Sequence, residues 1–394
     1  MISLNHALQK QNPGDRVIMA TADDAVLAKL ATVKAGYYQD PYIEALSQHA
    51  SGIAEGGRNR QRQVQPLIKR GTHARVCCVD RAIRAFVDYH SSSTEPNKNR
   101  PVQVVVLGSG KDTSFFRHGS PRVQWYEVDH ASVLQTKASI LQARPDIFRS
   151  QVKTTKYGYS IQLSPEQLNK SSGETAKKDS APTIHDCQLI EHDLRDNPKK
   201  LLDTLLQQTT FDFKAPTLFL FECVLMYMPQ EASVRLLQCL ANSALLPQVY
   251  VCSYEPILGS DSFGKMMEHN LSKAGVCDAD SCLRQTRSLE AQLGKLIGQA
   301  SSDNGGGGFV RAVGCDMAQA YETIMTQVQR ARANQCEFLD EIEEWMMIMR
   351  HYCFIVATAV PEGSDGDDFA KYFCNVGENS ALGFVEGKCM VKFK

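Results

Sequence analysis

The chain is short of the features that would place it quickly. Its 394 residues carry a formal net charge of −1, so no bulk electrostatic pull toward nucleic acid or a membrane surface is expected. No apolar run approaches the length of a membrane span, and the opening MISLNHALQKQNPGDR lacks the basic and apolar regions of a secretory signal. Thirteen cysteines are present, but none are spaced C-x-x-C, which argues against a zinc ribbon or a thioredoxin-like centre; no metal site is expected. Many of them, such as Cys223, Cys252 and Cys353, sit in apolar stretches as reduced core thiols do, and the compartment expected is the cytoplasm. No internal repeat is evident. The third glycine of the dinucleotide fingerprint is also missing: Thr113 stands three residues after Gly110.

What is present begins at VVVLGSGKDT. Val104–Leu107 reads as a buried strand running into Gly108-Ser109-Gly110, where the absence of Cβ lets the chain turn sharply and brings main chain within reach of a ligand. Asp112 or Thr113 is placed to cap the helix that follows. Val123–Asp129 reads as the next strand, and its terminal acid falls about twenty residues after Gly108, where a ribose diol is held in open α/β sheets. A carboxylate accepts two hydroxyl hydrogen bonds in one plane. Glycine turn plus second-strand acid suggests an adenosine-containing cofactor. The missing third glycine favours S-adenosylmethionine over a nicotinamide dinucleotide, because no pyrophosphate needs to approach a helix start.

The rest of the chain is read around that crevice. Residues 1–20 read as a loose arm. A helix is expected from Ala22, with Val26, Leu27, Leu30 and Val33 on one face and Lys29 off it, ending at Gly36 before the aromatic cluster Tyr37, Tyr38 and Tyr42. Residues 51–65 form a polar, basic loop. An amphipathic helix is expected over Val76–His90, with Arg75 in its first turns. A cation there opposes the helix dipole, so Arg75 needs an anionic partner, either a salt bridge or a ligand carboxylate. Ala131–Ala143 reads as a helix, 164–183 and 300–308 as polar insertions, and Asp193 as either an adenine contact or a helix N-cap. Pro216–Met228 is the most apolar stretch and reads as a buried parallel strand interrupted by Glu222, a carboxylate that must be paired if buried. Tyr227 follows, facing a ligand or capping the core. Gln248–Ile257 is a further strand, Asp261 opens a helix, Ala318–Ala333 and Glu337–Met349 read as helices, and Phe354–Val360 with Cys389–Phe393 as an antiparallel edge pair.

Together the segments AKLATVKAGYYQDPYI, KRGTHARV, VVLGSGKDTSFFR, YEVDH, HDLRD, LFLFECVLMYM, SYEPI with DSFG, and EEWMMIMRHYC make the chain resemble the leucine carboxyl methyltransferases, in family order from Ala28 to Cys353. The resemblance implies a Rossmann-like α/β fold with a mostly parallel central sheet and an added helical lid, here about 21–100 and parts of 260–350 of a single domain 21–394. It implies methyl transfer from S-adenosylmethionine to the C-terminal leucine α-carboxylate of the protein phosphatase 2A catalytic subunit, by a monomer. Carried over by motif, Lys29 and Arg75 lie near the methionine end of the cofactor, with Arg75 on its carboxylate. Gly108 touches the cofactor through its backbone, Asp129 holds the ribose, Asp193 and Leu194 the adenine, and Glu222 sits near the cofactor's amino end. Arg75 and Tyr227 are the catalytic candidates, and Tyr227 with the Gly36–Tyr42 aromatics would border the acceptor channel. Ser109 departs from the small alanine expected in the glycine turn. Two other readings share these residues: an O-methyltransferase of small carboxylic acids, and a phosphatase-binding module without catalysis.

Overall fold

The computed structural model describes residues 13–48, 64–92, 101–164, 186–208, 210–243, 245–297, 309, 311–359, 369–375 and 390–393. The expected insertion 300–308, nearly all of 164–183 and most of the loop 51–65 lie outside the described residues.

Ten strands form one sheet. In chain order they are β1 (Val102–Leu107), β2 (Val123–Asp129), β3 (Ser150–Thr155), β4 (Gly158–Leu163), β5 (Asp186–Glu191), β6 (Thr217–Glu222), β7 (Val249–Pro256), β8 (Arg311–Asp316), β9 (Tyr352–Ala359) and β10 (Met390–Phe393). Their spatial order is β10-β8-β9-β7-β6-β1-β2-β5-β4-β3. The five central strands β5, β2, β1, β6 and β7 are parallel. An antiparallel hairpin, β4 and β3, extends one edge, and β9, β8 and β10 extend the other, each antiparallel to its neighbour.

The central strands are largely apolar because both faces are covered, with Gln103, Glu127 and Gln188 as buried exceptions. Successive residues enter different cores. Val104 and Val106 pack with Ala82, Phe86 and Leu134 on one face, while Val105 and Leu107 pack with Leu201, Leu236 and Leu293 on the other. The chain proceeds from β1 outward through β2 and β5, then returns to β6 on the opposite side of β1. That reversal opens a crevice at the strands' carboxyl ends, the place where ligands bind in such sheets.

The structure corrects several expectations. The first helix begins at Pro13, so residues 13–20 are helical and not a loose arm. The long helix runs Pro66–Ser92, ten residues earlier than expected, and Arg75 lies well inside it. Gly71 lies inside this helix, where an added Cβ would stand 3.7 Å from Met349 Sδ. Pro216–Met228 is not one strand: β6 ends at Glu222, and a 3₁₀ turn, Leu225–Tyr227, follows. Glu222 therefore terminates the strand and does not interrupt it. β9 and β10 do not pair with each other, because β8 lies between them. The sequence of β8, RAVGCD, carries glycine and charged ends that hide a strand buried on both faces. The helix expected at Ala318–Ala333 is two, Met317–Thr323 and Gln327–Cys336, the second opened by a Thr326–Gln329 capping box, and the last begins at Ile342. No described helix is long and apolar enough to cross a membrane.

The segment after the glycine turn is tied to the long helix by charge. Arg117 Nη1 donates to both oxygens of Asp80 at 2.7 and 2.6 Å, and His118 Nε2 lies 2.8 Å from Asp80 Oδ1. Burial pushes the Asp80 carboxyl up, but Arg117 and His118 outweigh it and hold it at about 2. A depressed carboxyl contributes stability that is present above the ordinary aspartate range and is lost as pH falls toward the folded value. Asp80→Asn is therefore expected to lower the unfolding free energy at pH 7 by about 1.5–3 kcal/mol. In urea titrations the gap from the parent protein should persist down to pH 4 and close below it; a gap already absent at pH 7 would show that the ion pair contributes nothing.

Candidate active site

At the carboxyl ends of β1, β2, β5 and β6 lies a cavity of about 500 Å³. Lys29, Arg75, Gly108, Asp129, Asp193, Leu194, Glu222 and Tyr227 all line it. Residues separated by nearly two hundred positions meet because the parallel strands end at the same sheet edge and the first and long helices lie against it.

The glycine turn is used differently from expectation. Gly108 has φ +66° and Gly110 φ +53°, both left-handed. A Cβ on Gly108 would stand 2.7 Å from Val224 Cγ2, so the glycine is needed for the turn after β6 to close against it. The turn's amides are spent inside the protein: Gly108 and Ser109 N–H donate to Val128 O, Gly110 N–H to Asp129 Oδ2, and Asp112 N–H to Ser109 O. A phosphate cradle needs such amides pointing outward. This turn instead stiffens the wall and aims Asp129.

Asp129 ends β2. Its Oδ2 accepts from Gly110 N–H at 2.6 Å and its Oδ1 from His130 N–H at 2.7 Å. A carboxylate has about four lone-pair sites, which leaves each oxygen one for a pair of hydroxyls. Burial pushes its pKa up, with the two amides opposing. Asp193, half-buried, has both oxygens bonded to Arg195, through Nε and Nη2 and through the Arg195 main-chain N–H. It is not a helix cap; Asn197 caps the helix Pro198–Leu206. Nearby His192 Nε2 is buried with no hydrogen-bond partner among the described residues, an unused polar atom on the cavity wall.

Four charges form the cavity floor. Glu222 Oε1 accepts from Arg75 Nε, and Lys29 Nζ lies 3.3 Å from the same oxygen and 3.4 Å from Asp112 Oδ2. Burial raises the Glu222 carboxyl, but Arg75 and Lys29 more than offset this, and it sits below the ordinary glutamate value. Asp112 is driven well below its usual range by Lys29, Arg117 and Lys137, against the cost of burial. The helix-start argument for Arg75 fails on geometry, since the residue lies mid-helix, yet its anionic partner is there. The Tyr254 ring lies 5.0 Å from the guanidinium carbon. With Nε on Glu222 and one face on Tyr254, the guanidinium is fixed and its amino edge makes no hydrogen bond to any described residue. A guanidinium edge of this kind is able to take a carboxylate through two parallel hydrogen bonds.

Sequence reasoning missed the part of the site that holds Tyr227. Glu255, at the end of β7 and 1% exposed, accepts from Val224 and Leu225 N–H through Oε1 (2.9 Å each) and from Met226 N–H through Oε2 at 3.1 Å. Its carboxylate caps the 3₁₀ turn. Burial pushes its pKa up, while Lys295 and the three amides oppose. The signal that singles out Glu222, a lone acid in an apolar run, is equally present in QVYVCSYEPI. Tyr227 ends the turn, and burial pushes its phenol above the ordinary tyrosine value, so the hydroxyl stays a donor. Tyr254 and Tyr352, stacked with centroids 5.4 Å apart, also line the cavity. Leu67, Met226, Met228, Met267, Leu271 and Met349 add an apolar lining, and Met226, Met267 and Leu271 cluster with Tyr227.

The Gly36–Tyr42 aromatics do not line this cavity. Tyr37 and Tyr38 pack on His73, and Tyr42 on Phe116 and Phe148, so they close a helix end. Among the described residues no group of His, Cys, Asp and Glu is arranged to hold a metal ion.

The sequence profile of the leucine carboxyl methyltransferases matches residues 17–241, more than half of the chain. Leucine carboxyl methyltransferase 1 of Rattus norvegicus is 30% identical over 348 residues, covering 87% of this chain and 90% of the rat protein. The Aspergillus fumigatus protein of the same name is 27% identical over 371 residues, covering 86% and 82%. Among solved structures, a protein from Streptomyces avermitilis (TM-score 0.41, 12% identical) covers 84% of this chain and 95% of its own. The plantazolicin methyltransferase BamL, solved with S-adenosylhomocysteine, has a TM-score of 0.37 at 10% identity, covering 87% and 98%.

If Glu255 holds the turn, Glu255→Gln keeps two accepted bonds and turns an amide N–H₂ toward Met226 N–H. The expected result is a loss of about 1.5–3 kcal/mol in urea unfolding, with turnover falling more than cofactor affinity. Unchanged stability would mean the three amides find other acceptors.

Proposed function

Because the chain belongs to the leucine carboxyl methyltransferase family, whose members are S-adenosylmethionine-dependent carboxyl methyltransferases, we propose that it esterifies the C-terminal leucine α-carboxylate of the protein phosphatase 2A catalytic subunit, in the cytoplasm. The single observation that supports the site assignment most is the fixed Arg75 guanidinium, presenting its amino edge to a cavity that also holds Asp129 and the Glu222–Lys29 pair.

The residues present fit the cofactor. Arg75 and Lys29 would take its carboxylate, Glu222 its amino group, Asp129 its ribose, and Leu194 with the unpartnered His192 nitrogen would border its adenine. The inward-turned amides of the glycine turn suit a ligand without a pyrophosphate. When bound, S-adenosylmethionine supplies an electrophilic methyl group on sulfur.

An α-carboxylate has a pKa of about 3.3–3.7 and is ionised at neutral pH. It is already a nucleophile, so no side chain need act as base. What the protein supplies is alignment and removal of water from the attacking oxygen. Tyr227, a protonated donor on a turn fixed by Glu255, orients the carboxylate without neutralising it. Glu222 helps in a second way: by occupying Arg75 Nε it keeps cationic charge from pairing too tightly with the acceptor.

Calorimetry with S-adenosylmethionine should show Arg75→Ala and Asp129→Ala losing affinity by about tenfold or more, while Tyr227→Phe keeps affinity and loses turnover. Near-parental binding by Asp129→Ala would sink the ribose assignment. Transfer of a labelled methyl group should reach the intact phosphatase catalytic subunit, not a version lacking its last leucine, and the label should be lost in mild base as an ester's would. Label on free small acids but not on the phosphatase would favour the small-acid reading. Confirmed cofactor binding with no label on any acceptor would favour the binding-module reading.

A further inference from the structure

Two helices far apart in the later sequence contribute apolar lining to the cavity. Ser262–Lys273 contributes Met267 and Leu271; Ile342–Met349 contributes Ile348 and Met349. These helices meet at one histidine. His351, just past the second helix and buried, has Nδ1 2.8 Å from Met347 O and Nε2 3.1 Å from Asp261 Oδ1. Asp261 is the N-cap of the first helix, and the same oxygen accepts from Gly264 N–H at 2.8 Å. The imidazole also packs on Phe263, centroids 4.6 Å apart, in the first turn of that helix.

Both of the ring's partners can only accept. The ring stands between them and so bridges the carboxyl end of one wall helix and the amino end of the other. Gly259, left-handed at φ +62°, keeps this junction clear: a Cβ there would stand 3.3 Å from His351 Nε2. Neither Asp261 nor His351 lines the cavity.

We propose that the His351–Asp261 contact is a positioning pair that sets the spacing of the two helices walling the acceptor end of the cavity, and so governs how a peptide's C-terminal leucine seats. This rests on the acceptor reading above. The residues assigned to the cofactor lie on the first helix, the long helix and at or after the ends of β2, β5 and β6, none of them on either of these two helices, so the pair should act on acceptor binding and leave cofactor binding alone.

Three variants separate the tie from the helix cap. His351→Phe keeps the ring against Phe263 and the Asp261 cap, but removes both ring nitrogens. Asp261→Ala removes cap and tie. Asp261→Asn keeps an acceptor oxygen for both Gly264 N–H and the imidazole. With a leucine-ended peptide carrying a free carboxylate as acceptor, His351→Phe and Asp261→Ala should raise acceptor KM by about tenfold, the size of one lost charge-assisted hydrogen bond. Their S-adenosylmethionine Kd should stay within about twofold, and Asp261→Asn should remain near the parent. An unchanged acceptor KM in folded His351→Phe, or a cofactor Kd that rises in step with KM, would overturn the proposal. Amide hydrogen exchange, which needs no acceptor, tests the tie independently: His351→Phe should speed exchange in 262–273 and 342–349 and not in 102–107. If the parent protein methylates neither the peptide nor the intact phosphatase catalytic subunit, the acceptor reading fails, and exchange in both helices of His351→Phe equal to the parent's would then overturn the tie by itself.

Discussion

The site depends on one carboxylate. Glu222 ends β6 at the sheet's crevice, and without Arg75 and Lys29 its charge would be intolerable there. Leaving a buried charge unpaired costs several kcal/mol, typically more than a surface contact ever returns. The pairing works in both directions. Glu222 keeps two cations facing a cavity that would otherwise repel them from one another, and Asp112 shares Lys29 from the glycine-turn side. The floor is thus a balanced set of two cations and two anions contributed by the first helix, the long helix, the segment after β1 and the end of β6. None of these elements can shift without exposing a charge mismatch, so the floor also registers the helical half of the chain on the sheet.

The second layer of constraint is how backbone amides are used. Around the turn after β1 they point inward, at Val128 and Asp129. Around the turn after β6 they point at Glu255. In both places a buried acceptor fixes a loop whose side chains or oxygens then face the cavity. Between Glu222 and that second turn stands Cys223 with φ 57°, a left-handed non-glycine residue. Such a conformation costs of order 1–3 kcal/mol and persists only where surroundings enforce it. Here the enforcement is visible: Cys223 N–H donates to Tyr254 O at 2.8 Å, and Glu255 holds the next three amides. The bend lets one short segment present both Glu222 and Tyr227 to the same cavity.

The parts legible in the sequence are those where local pattern and function coincide. β2 and the helix after it are readable with their true ends because alternation, a terminal acid and helical spacing agree there. Asp129 and Glu222, which line the cavity, stand out as acids that close apolar runs. What the sequence hides depends on distant partners. Helix position argues for an anion beside Arg75 on grounds that the structure does not support; its true partner lies 147 residues away. β8 is hidden because glycine and terminal charges lower its propensity, and only burial between β9 and β10 makes it a strand. Glu255 is hidden because the three amides it serves belong to another strand's turn. The aromatics at Gly36–Tyr42 look like a channel wall and are a packed helix end, a distinction that composition does not carry.

The cavity has two kinds of lining. Its polar side chains are held by ion pairs and by backbone amides. Its apolar lining is largely methionine and leucine, and methionine's unbranched thioether adapts its shape at little cost. A single small cofactor needs the first kind of wall. A chain end delivered by a larger protein needs the second, because its approach is set elsewhere and the wall must accept what arrives. An adaptable lining on freely drifting helices would, however, fail to hold the carboxylate in line with its target, since alignment tolerates little displacement. The acceptor end therefore needs soft side chains on a fixed backbone. Hydrogen bonds at helix ends, away from the lining itself, meet that need without stiffening the surface the acceptor touches.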